Sequence, residues 1–542
     1  MTRHGGKLLA DALAGQGADL VFCVPGESYV AFLDGLYDSS LRLVTCRHEG
    51  SAANMADAYG KLTGRPGLCV VTRGPGATQA SVGVHTAFQD STPLILLVGQ
   101  VASDQEEREA FQEIDYRRMF GPLTKWVAQI DCADRIPEYV HRAFTTACAG
   151  RPGPVVLALP EDMLSSQVDA IDVERFQVVQ PHPAPDAIER LRVLFDAAER
   201  PFVLLGGAGW TRATSEAMRT FVEENALPAG AAFRRQDALD NDSSSYVGDV
   251  GIGVNPKLAD RVRAADLLLA VGPRLGEMTT SGYTLVRDQR LVHVHPGAEE
   301  LGRVYRPELP ILSGVEPFAL AVSSVRVEPP WREWTAAARA DYDEWQRHTP
   351  RPGAVDLAEC IAHLRDRVPH AIVANGAGNF TVWVHRFWRW HEYGTQLAPT
   401  SGAMGYGVPA AVAAKLVRPD ATVLCFAGDG DFLMAGQELA TAVQYELPIV
   451  VLVVNNGMYG TIRMHQERNY PGRVIGTDLV NPDFAAYARS FGAFGEVVTE
   501  TDAFADAFER ALASGRPALL ELRTDPEAIT PRTTLTAIRE GR

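Results

Sequence analysis

The sequence predicts an α/β protein of three doubly wound domains, each built around a parallel sheet. Short apolar runs alternate with stretches of helical spacing along the 542 residues, which is the pattern of strand–helix–strand units. Two proline-rich stretches, 176–186 and about 328–353, interrupt this alternation and indicate linkers. We therefore place the domains at 1–175, 187–327 and 354–530, and each has the length of an ordinary domain.

The predicted strands are short apolar runs. In the first domain they are 20–24, 41–46, 67–72 and 93–99. In the second and third domains they are 201–209, 267–272, 290–296, 370–376, 421–427 and 448–454. The amino terminus has the spacing of an amphipathic helix and lacks the long apolar core of a signal peptide.

Composition argues against several classes of protein. Hydrophobic residues are 46% and charged residues 22% of the chain, as in ordinary globular proteins. The net charge of −16 argues against nonspecific binding to nucleic acid or anionic membranes, and no apolar run approaches the length of a membrane span. The 7 cysteines have no metal-ligand spacing. We expect a cytoplasmic protein without nucleic-acid or membrane partners.

The most informative motif is Gly428-Asp429-Gly430, followed one predicted helix later by Asn455-Asn456. An apolar strand precedes each part, so Asp429 and Asn456 lie at the carboxyl ends of two parallel strands joined by one crossover helix. Open α/β sheets bind ligands at such ends. A carboxylate and an amide oxygen suit Mg²⁺, which commonly accompanies phosphates, and the glycines let the backbone approach a bulky anion. A turn and a strand end without a ligand are the alternative.

This motif resembles the signature of thiamine-diphosphate enzymes, GDG followed by NN. The chain as a whole is similar to the acetolactate synthase-like branch of that family. The resemblance implies a pyrimidine-binding domain at 1–175, a central domain at 187–327 and a diphosphate-binding domain at 354–530. It also implies thiamine diphosphate and Mg²⁺ as cofactors.

Glu49 follows a predicted strand and opens a helical stretch. From the residues alone, a carboxylate in a first helical turn is explained by capping. The passage 74–101 resembles the pyrimidine domain of acetolactate synthases, in which the matching Glu hydrogen-bonds N1′ of the aminopyrimidine. A carboxylate there stabilises the imino tautomer, whose 4′-nitrogen removes the C2 proton of the thiazolium. The resulting ylide attacks a 2-oxo acid, and loss of CO₂ leaves a carbanion/enamine.

Further cofactor contacts are implied by the resemblance. Met404 matches the apolar wedge that bends the coenzyme, with ordinary core filling as the alternative, and the carbonyl of Gly402 matches the group that holds the 4′-amino nitrogen. The implied metal ligands are Asp429, Asn456 and the backbone carbonyl of Met458. The residues implied to contact the coenzyme are Glu49, Gly378, Asn379, Gly402, Met404, Gly428, Asp429, Gly430, Asn456 and Met458.

The substrate side is implied by three segments. Glu27 lies in PGES, where acetolactate synthases resemble PGG and pyruvate decarboxylases PGD. It is a candidate proton donor or carboxylate sensor, with helix capping as the alternative. Phe111 and Gln112 match the pocket-lining AFQE of the synthases, and His465 stands where they carry Trp. The candidate catalytic residues are Glu49, Glu27 and Gln112.

Several positions depart from the family. Glu161 stands where the synthases carry Lys in IPKD, and Arg73 where the decarboxylases carry paired histidines. Ile462 replaces an acidic residue of the decarboxylases. In the central domain Arg274 matches a flavin-contacting Arg of the synthases, but the acidic pair and second Arg that follow it there are not retained. This balance weighs slightly against bound FAD and leaves the question open.

Our leading hypothesis is a transferase or lyase similar to acetolactate synthase. It would be a decarboxylating carboligase that joins a 2-oxo acid to an aldehyde or a second oxo acid. A 2-oxo acid decarboxylase or a 2-hydroxyacyl or acyloin lyase is the alternative. An oxidoreductase built on 206–209 lacks a complete dinucleotide fingerprint. A non-catalytic relative is disfavoured because Glu49, Asp429 and Asn456 are all present. The domains that carry Glu49 and Asp429 meet across a subunit interface in the family, so the resemblance implies a homodimer or homotetramer.

Overall fold

Three parallel sheets organise the chain. The computed structural model describes residues 2–541; Met1, at which the first predicted domain begins, and Arg542 lie outside the described residues. Within 2–541 there are three sheets of six parallel strands and one two-stranded antiparallel ribbon. This confirms the predicted α/β class with doubly wound parallel sheets.

The N-terminal sheet has a topological switch point, where the chain changes the direction in which it adds strands. The strands of this region are β1 (Arg3–His4), β2 (Leu20–Cys23), β3 (Arg42–Thr45), β4 (Gly67–Val71), β5 (Leu94–Gln100), β6 (Trp126–Gln129), β7 (Pro154–Pro160) and β8 (Gln167–Val168). Its helices are α1 (Gly5–Gly15), α2 (Val30–Tyr37), α3 (Glu49–Thr63), α4 (Pro75–Asp90), α5 (Tyr116–Phe120), α6 (Ile136–Cys148) and α7 (Glu161–Ser165). The six-stranded order is β3-β2-β4-β5-β7-β6. The chain therefore reverses its direction across the sheet between β2 and β4, and ligands bind at the carboxyl edge beside such a point.

The central sheet has the same plan. Its elements are α8 (Pro185–Asp196), β9 (Pro201–Leu205), α9 (Arg212–Glu224), β10 (Ala229–Ala231), β11 (Tyr246–Asp249), α10 (Pro256–Ala264), β12 (Leu267–Val271), β13 (Arg290–His295), β14 (Leu309–Leu312), α11 (Val315–Val322) and α12 (Arg332–Trp345). The strand order is β11-β10-β9-β12-β13-β14. At its switch point, a side chain on Gly207 would collide with the carbonyl oxygen of Gly272. Close backbone packing therefore fills the place where a dinucleotide binds in other doubly wound sheets.

The C-terminal sheet places its switch point between β15 and β17. Its elements are α13 (Leu357–Arg367), β15 (Ile372–Asn375), α14 (Phe380–Phe387), β16 (Gln396–Leu397), α15 (Gly407–Val417), β17 (Val423–Gly428), α16 (Asp429–Phe432), α17 (Leu439–Gln444), β18 (Val450–Asn455), α18 (Gly460–Asn469), α19 (Phe484–Ser490), β19 (Phe494–Val498), α20 (Phe504–Ala513), β20 (Ala518–Arg523) and α21 (Leu535–Arg539). The order is β16-β15-β17-β18-β20-β19.

Two details of the predicted organisation are wrong. The crossover between β17 and β18 is not one helix but α16, a 3₁₀ turn and α17, because the backbone leaves the helical conformation at Ala435, with a φ of −146°. A side chain on Gly436, just after this break, would collide with the ring of Phe432. The second predicted linker contains the 14-residue helix α12. Its prolines stand only at the two ends, and between them Thr335, Ala338 and Tyr342 are buried at helical spacing.

The described chain forms two compact units. One comprises the chain up to Val179 with Val412–Val417, and the other comprises Gln180–Ala411 with the chain from Arg418 onward. The central and C-terminal sheets therefore share a unit, and the three predicted domain boundaries stay a prediction. Within 2–541 no helix combines the length and apolar character that crossing a membrane requires.

A buried ion cluster joins α3 to α4 in the first unit. The Nζ of Lys61 lies 2.8 Å from Asp57 and also pairs with Asp90, and all three side chains are almost fully buried. The desolvation of two carboxylates is offset here by one ammonium group and by hydrogen bonding. Removal of the ammonium takes away a positive charge that offsets the two buried carboxylates.

We expect Lys61→Met to lower the free energy of unfolding by about 3–5 kcal/mol, the cost of breaking a buried ion pair from one side. Urea denaturation of the two proteins measures this difference. Lys7→Met is the matched control, because Lys7 pairs with Asp11 in a more exposed setting and should cost less than about 1 kcal/mol. Equal losses in the two variants would contradict the role given to the Lys61 cluster.

Candidate active site

A cavity of about 320 Å³ opens at the carboxyl edge of the C-terminal sheet. Its walls come from the loops that follow β15, β17 and β18, the three strands around the switch point. The size is that of a small-molecule site, for which volumes of about 300–1,000 Å³ are usual. The cavity is lined by every residue of this unit that was predicted to contact the coenzyme: Gly378, Asn379, Gly402, Met404, Gly428, Asp429, Gly430, Asn456 and Met458.

Asp429 is the first residue of α16 and is 3% exposed. Its Oδ1 accepts a hydrogen bond from the Gly430 amide at 3.0 Å, and its Oδ2 accepts from the Gly457 amide at 2.9 Å and from Asn481 Nδ2 at 2.7 Å. Burial raises the pKa of the Asp429 carboxyl, and these hydrogen bonds oppose the rise. A cation beside this oxygen pair would stabilise the ionised form.

The turn after β18 brings further oxygen atoms to the same cavity. Asn455 Oδ1 accepts from the Gly457 amide at 3.1 Å and from Asn481 Nδ2 at 2.9 Å. Asn456 Oδ1 accepts from the Met458 amide at 3.2 Å, which folds the chain back over Asp429. Gly457 has a φ of +70°, and this left-handed turn favours glycine. Carboxylate, amide and backbone oxygens form the donor set that Mg²⁺ prefers.

Two helices begin at the cavity wall. Gly378 has a φ of +152°, and Asn379 then leads into α14. Asn379 Oδ1 accepts a hydrogen bond from Thr461 Oγ1 at 2.8 Å, which fastens the start of α14 to the start of α18. Helix N-termini present unpaired amides and a positive dipole end, so both starts favour an anion such as a diphosphate.

The loop that carries Gly402 and Met404 is fixed by a carboxylate that the sequence analysis did not single out. Asp431 Oδ1 accepts from the Gly405 amide at 2.7 Å and from the Ala377 amide at 3.4 Å. Its Oδ2 is buried without a hydrogen-bond partner among the described residues. Burial raises the pKa of Asp431 to about 7. The spacing gave no signal for this, because side chains two residues apart on a helix do not face the same way.

Arg234 also lines the cavity, and no motif pointed to it. The residue lies in the loop after β10, is 3% exposed and has a left-handed φ of +59°. Its guanidinium donates to the carbonyl of Pro399 and lies 5.0 Å from the ring centroid of Phe233. The positive charge of Arg234 counteracts part of the burial effect on the pKa of Asp431.

Glu49 lies in the other unit, at the first position of α3, and is half-buried. The preceding residue caps the helix, because His48 Nδ1 accepts from the Gly50 amide at 3.0 Å. His48 thus takes the N-cap position itself, while Glu49 stands in the first turn of the helix, where a carboxylate is also favoured. A Cβ atom on Gly76 would lie 3.5 Å from Glu49 Oε1, so the carboxylate abuts the start of α4. Glu49 follows β3 at the same carboxyl edge that carries the β2–β4 switch point.

Glu27, Arg73 and Glu161 form a charged cluster at that edge. Arg73 NH2 donates to Glu27 Oε1 at 3.4 Å, and Arg73 NH1 pairs with Glu161. Arg73 Nε donates to the Phe111 carbonyl at 3.1 Å. Arg73 is 9% exposed, whereas the Glu27 side chain is 69% exposed. The structure thus brings together three positions at which the sequence departs from its resembled family.

The remaining predicted pocket residues differ in their exposure. Phe111 is 71% exposed, and Gln112 follows it with a left-handed φ of +67°. Gln112 packs closely against the turn before α4, since a side chain on Gly74 would collide with it. His465 is exposed on α18 and, in the part of the chain described, does not line the cavity, although Ile462 of that helix does.

A smaller cavity of about 80 Å³ lies in the central region beside Arg274. Arg274 Nε donates to Glu300 Oε1 at 3.2 Å, and Arg303 NH1 pairs with the same oxygen at 2.7 Å. His293 is buried and its Nε2 lies 3.0 Å from the Pro273 carbonyl oxygen. Burial lowers the pKa of His293, which favours a neutral ring that hydrogen-bonds to the backbone.

Comparisons with known proteins agree with these features. Residues 3–119 match the N-terminal binding domain, 188–322 the central domain and 376–522 the C-terminal binding domain of thiamine pyrophosphate enzymes. The acetolactate synthase large subunit of Parasynechococcus marenigrum is 32% identical over 541 residues, which cover 96% of this chain and 87% of that protein. The isozyme 2 large subunit of Escherichia coli acetolactate synthase is 30% identical over 533 residues, with 96% of both chains covered.

Acetolactate synthase of Bacillus subtilis is 29% identical and spans 96% of this chain and 93% of its own length. Similarity to such proteins therefore extends over all three sheets and over both groups of site residues. The chain belongs to the acetolactate synthase-like family of thiamine-diphosphate-dependent enzymes.

Proposed function

We propose that this enzyme is a decarboxylating carboligase that joins a 2-oxo acid to an aldehyde or a second 2-oxo acid. The observation that carries the proposal is the cavity at the C-terminal switch point, whose lining includes all nine residues of that unit that were predicted to contact the coenzyme. Names of relatives that span nearly the whole chain agree with a carboligase.

The residues present fit a magnesium-bound diphosphate. Asp429, Asn456 and the Met458 carbonyl would hold Mg²⁺, since they offer the hard oxygen donors that it prefers. The amides at the starts of α14 and α18 would hold the diphosphate. Met404 would support the thiazolium, and the Gly402 carbonyl would accept from the aminopyrimidine.

Thiamine diphosphate, when bound, supplies an acidic carbon and an electron sink for decarboxylation. Glu49 would hydrogen-bond N1′ of the pyrimidine and so supply the acid–base group that comes from the protein itself. Glu27 and Gln112 would contact the substrate, with Glu27 as a proton donor or carboxylate sensor. Phe111 and His465 are proposed as substrate-pocket residues on the family resemblance alone, because both side chains are exposed in this chain. Because Glu49 and Asp429 lie on different domains that pair across subunits in the resembled family, we propose a homodimer or homotetramer.

We propose that the enzyme works without FAD. Arg274, the one retained flavin-contacting position, is engaged by Glu300, and the cavity beside it is smaller than ligand sites of about 300 Å³ or more. A cytoplasmic location is supported by the seven cysteines, all of which are free thiols. Visible flavin absorbance in the purified protein would contradict the proposal that the enzyme works without FAD.

A screen of 2-oxo acids with the coenzyme-loaded protein tests the reaction directly. We expect CO₂ release together with a ligated product, acetolactate or a mixed acyloin, when an acceptor is present. Product identification by mass spectrometry is the measurement. Free aldehyde as the sole product, with and without acceptor, would show a simple decarboxylase.

We expect Glu49→Gln to retain coenzyme binding and to lose turnover by about two to four orders of magnitude, the usual contribution of a positioned acid–base group. The glutamine side chain has nearly the same size as glutamate, but its neutral amide does not stabilise a proton at N1′ as a carboxylate does. Steady-state kinetics and a coenzyme titration measure the two effects. The control is Glu138→Gln, an exposed carboxylate of α6 paired with Arg135, and full activity in Glu49→Gln would refute the assignment.

We expect Asp429→Ala to lose Mg²⁺ and coenzyme affinity together, because one carboxylate anchors the metal through which the diphosphate is held. Calorimetric titration of the stripped protein, first with Mg²⁺ and coenzyme together and then with coenzyme alone, measures the loss. Asp366→Ala on the exposed face of α13 is the control. Unchanged coenzyme affinity in Asp429→Ala would show that Asp429 does not bind the metal.

A further inference from the structure

The Glu27–Arg73–Glu161 cluster lies at the carboxyl edge of the N-terminal sheet. Glu27 follows β2, Arg73 follows β4 and Glu161 follows β7, and β2 and β4 flank the switch point. The loop after β5 joins them through the Phe111 carbonyl. The cluster is thus a single network across the carboxyl ends of neighbouring strands, the edge at which open α/β sheets bind ligands.

Glu49, the residue proposed to contact the coenzyme, lies beside the turn that carries Arg73. Its Oε1 abuts Gly76 at the start of α4, and Gly76 is three residues beyond Arg73 in one turn. The turn is held at several points: the Gly74 amide donates to Tyr116 Oη at 3.0 Å, and the Arg73 amide donates to Ser28 Oγ at 3.3 Å. Arg73 is therefore held by its backbone as well as by its side chain.

The net charge of the Glu27–Arg73–Glu161 cluster is negative. The guanidinium of Arg73 is buried and faces two carboxylates and one carbonyl. Its positive charge is therefore compensated within the cluster. One cation and two carboxylates give a formal charge of −1. The exposed member is Glu27, so the surface offered to a second substrate is a carboxylate and not a guanidinium.

We infer that Arg73 is a specificity-determining residue: its charge, placed between Glu27 and Glu161, sets the formal charge of the cluster at −1, and the cluster selects an uncharged carbonyl compound over a second 2-oxo acid as the acceptor. The inference rests on the proposed carboligase function and names the class of its acceptor. Like charges at short range disfavour binding, so a change in the charge of the cluster changes the discrimination between a neutral and an anionic acceptor.

A competition between a neutral and an anionic acceptor tests this inference. Acetaldehyde and glyoxylate differ in a methyl group against a carboxylate, and both accept the same activated donor, so effects on the donor cancel in the product ratio. The full-length enzyme, loaded with coenzyme and Mg²⁺, receives its most active 2-oxo acid donor with both acceptors present. Chromatography of the two products gives the ratio of kcat/KM for glyoxylate to that for acetaldehyde.

The two variants change the formal charge of the cluster in opposite directions. Arg73→Gln makes it −2 and should lower the glyoxylate-to-acetaldehyde ratio about tenfold, whereas Glu161→Gln makes it 0 and should raise the ratio about tenfold. Both shifts should shrink at high salt. A merely structural role would reduce both products alike. Arg65→Gln is the control, because Arg65 likewise joins a carboxylate, Asp19, and a backbone carbonyl in the same unit, and it should leave the ratio unchanged.

Wild-type preference for acetaldehyde with opposite shifts in the two variants supports the inference. Wild-type preference for glyoxylate, or an unchanged ratio in Glu161→Gln, overturns it while leaving the carboligase function standing. If melting curves show that Arg73→Gln does not fold, Glu161→Gln decides alone. Failure of the wild type to ligate any acceptor overturns the proposed function, and this inference with it.

Discussion

The desolvated carboxylate of Asp429 is the constraint on which the C-terminal site depends. A buried acid with a raised pKa is costly unless something favours its ionised form. Three hydrogen bonds, from Gly430, Gly457 and Asn481, do part of this. They also fix the turn after β18 against the start of α16. The local fold is therefore shaped around one negative charge that a divalent cation would complete.

Much of this arrangement could be predicted from the sequence because it is local. Strand, glycine and carboxylate follow one another within a few residues at Gly428–Gly430, and the same holds for β18 and Asn456. Parallel strands bring such ends to a common edge regardless of the details of packing. Residues that reach the cavity from elsewhere have no local pattern. Arg234 comes from the central sheet with an unfavourable backbone φ, and nothing in its surrounding sequence marks the position.

Helix continuity was mispredicted for a related reason. The apolar spacing between β17 and β18 suits one helix, yet the backbone leaves the helical conformation at Ala435, and the ring of Phe432 packs against Gly436 beside the break. Tertiary contacts overrode local periodicity there. In α12 the reverse occurred: flanking prolines indicated a linker, but Tyr342 packs edge-on against Tyr246 at 5.2 Å and gives the segment a core to bury.

The charges that line the C-terminal cavity bear on how its ligands arrive. Arg234 and Arg351 contribute two positive charges, and Asp356, Asp429 and Asp431 contribute three negative ones, so the formal sum is −1. A diphosphate alone would enter a cavity of its own sign, and the helix starts of α14 and α18 offer only partial charges against that. A divalent cation reverses the sum to +1. The coenzyme and the metal are therefore electrostatically coupled, and the pKa of Asp431, raised to about 7 by burial, allows the cavity to shed one negative charge by taking up a proton.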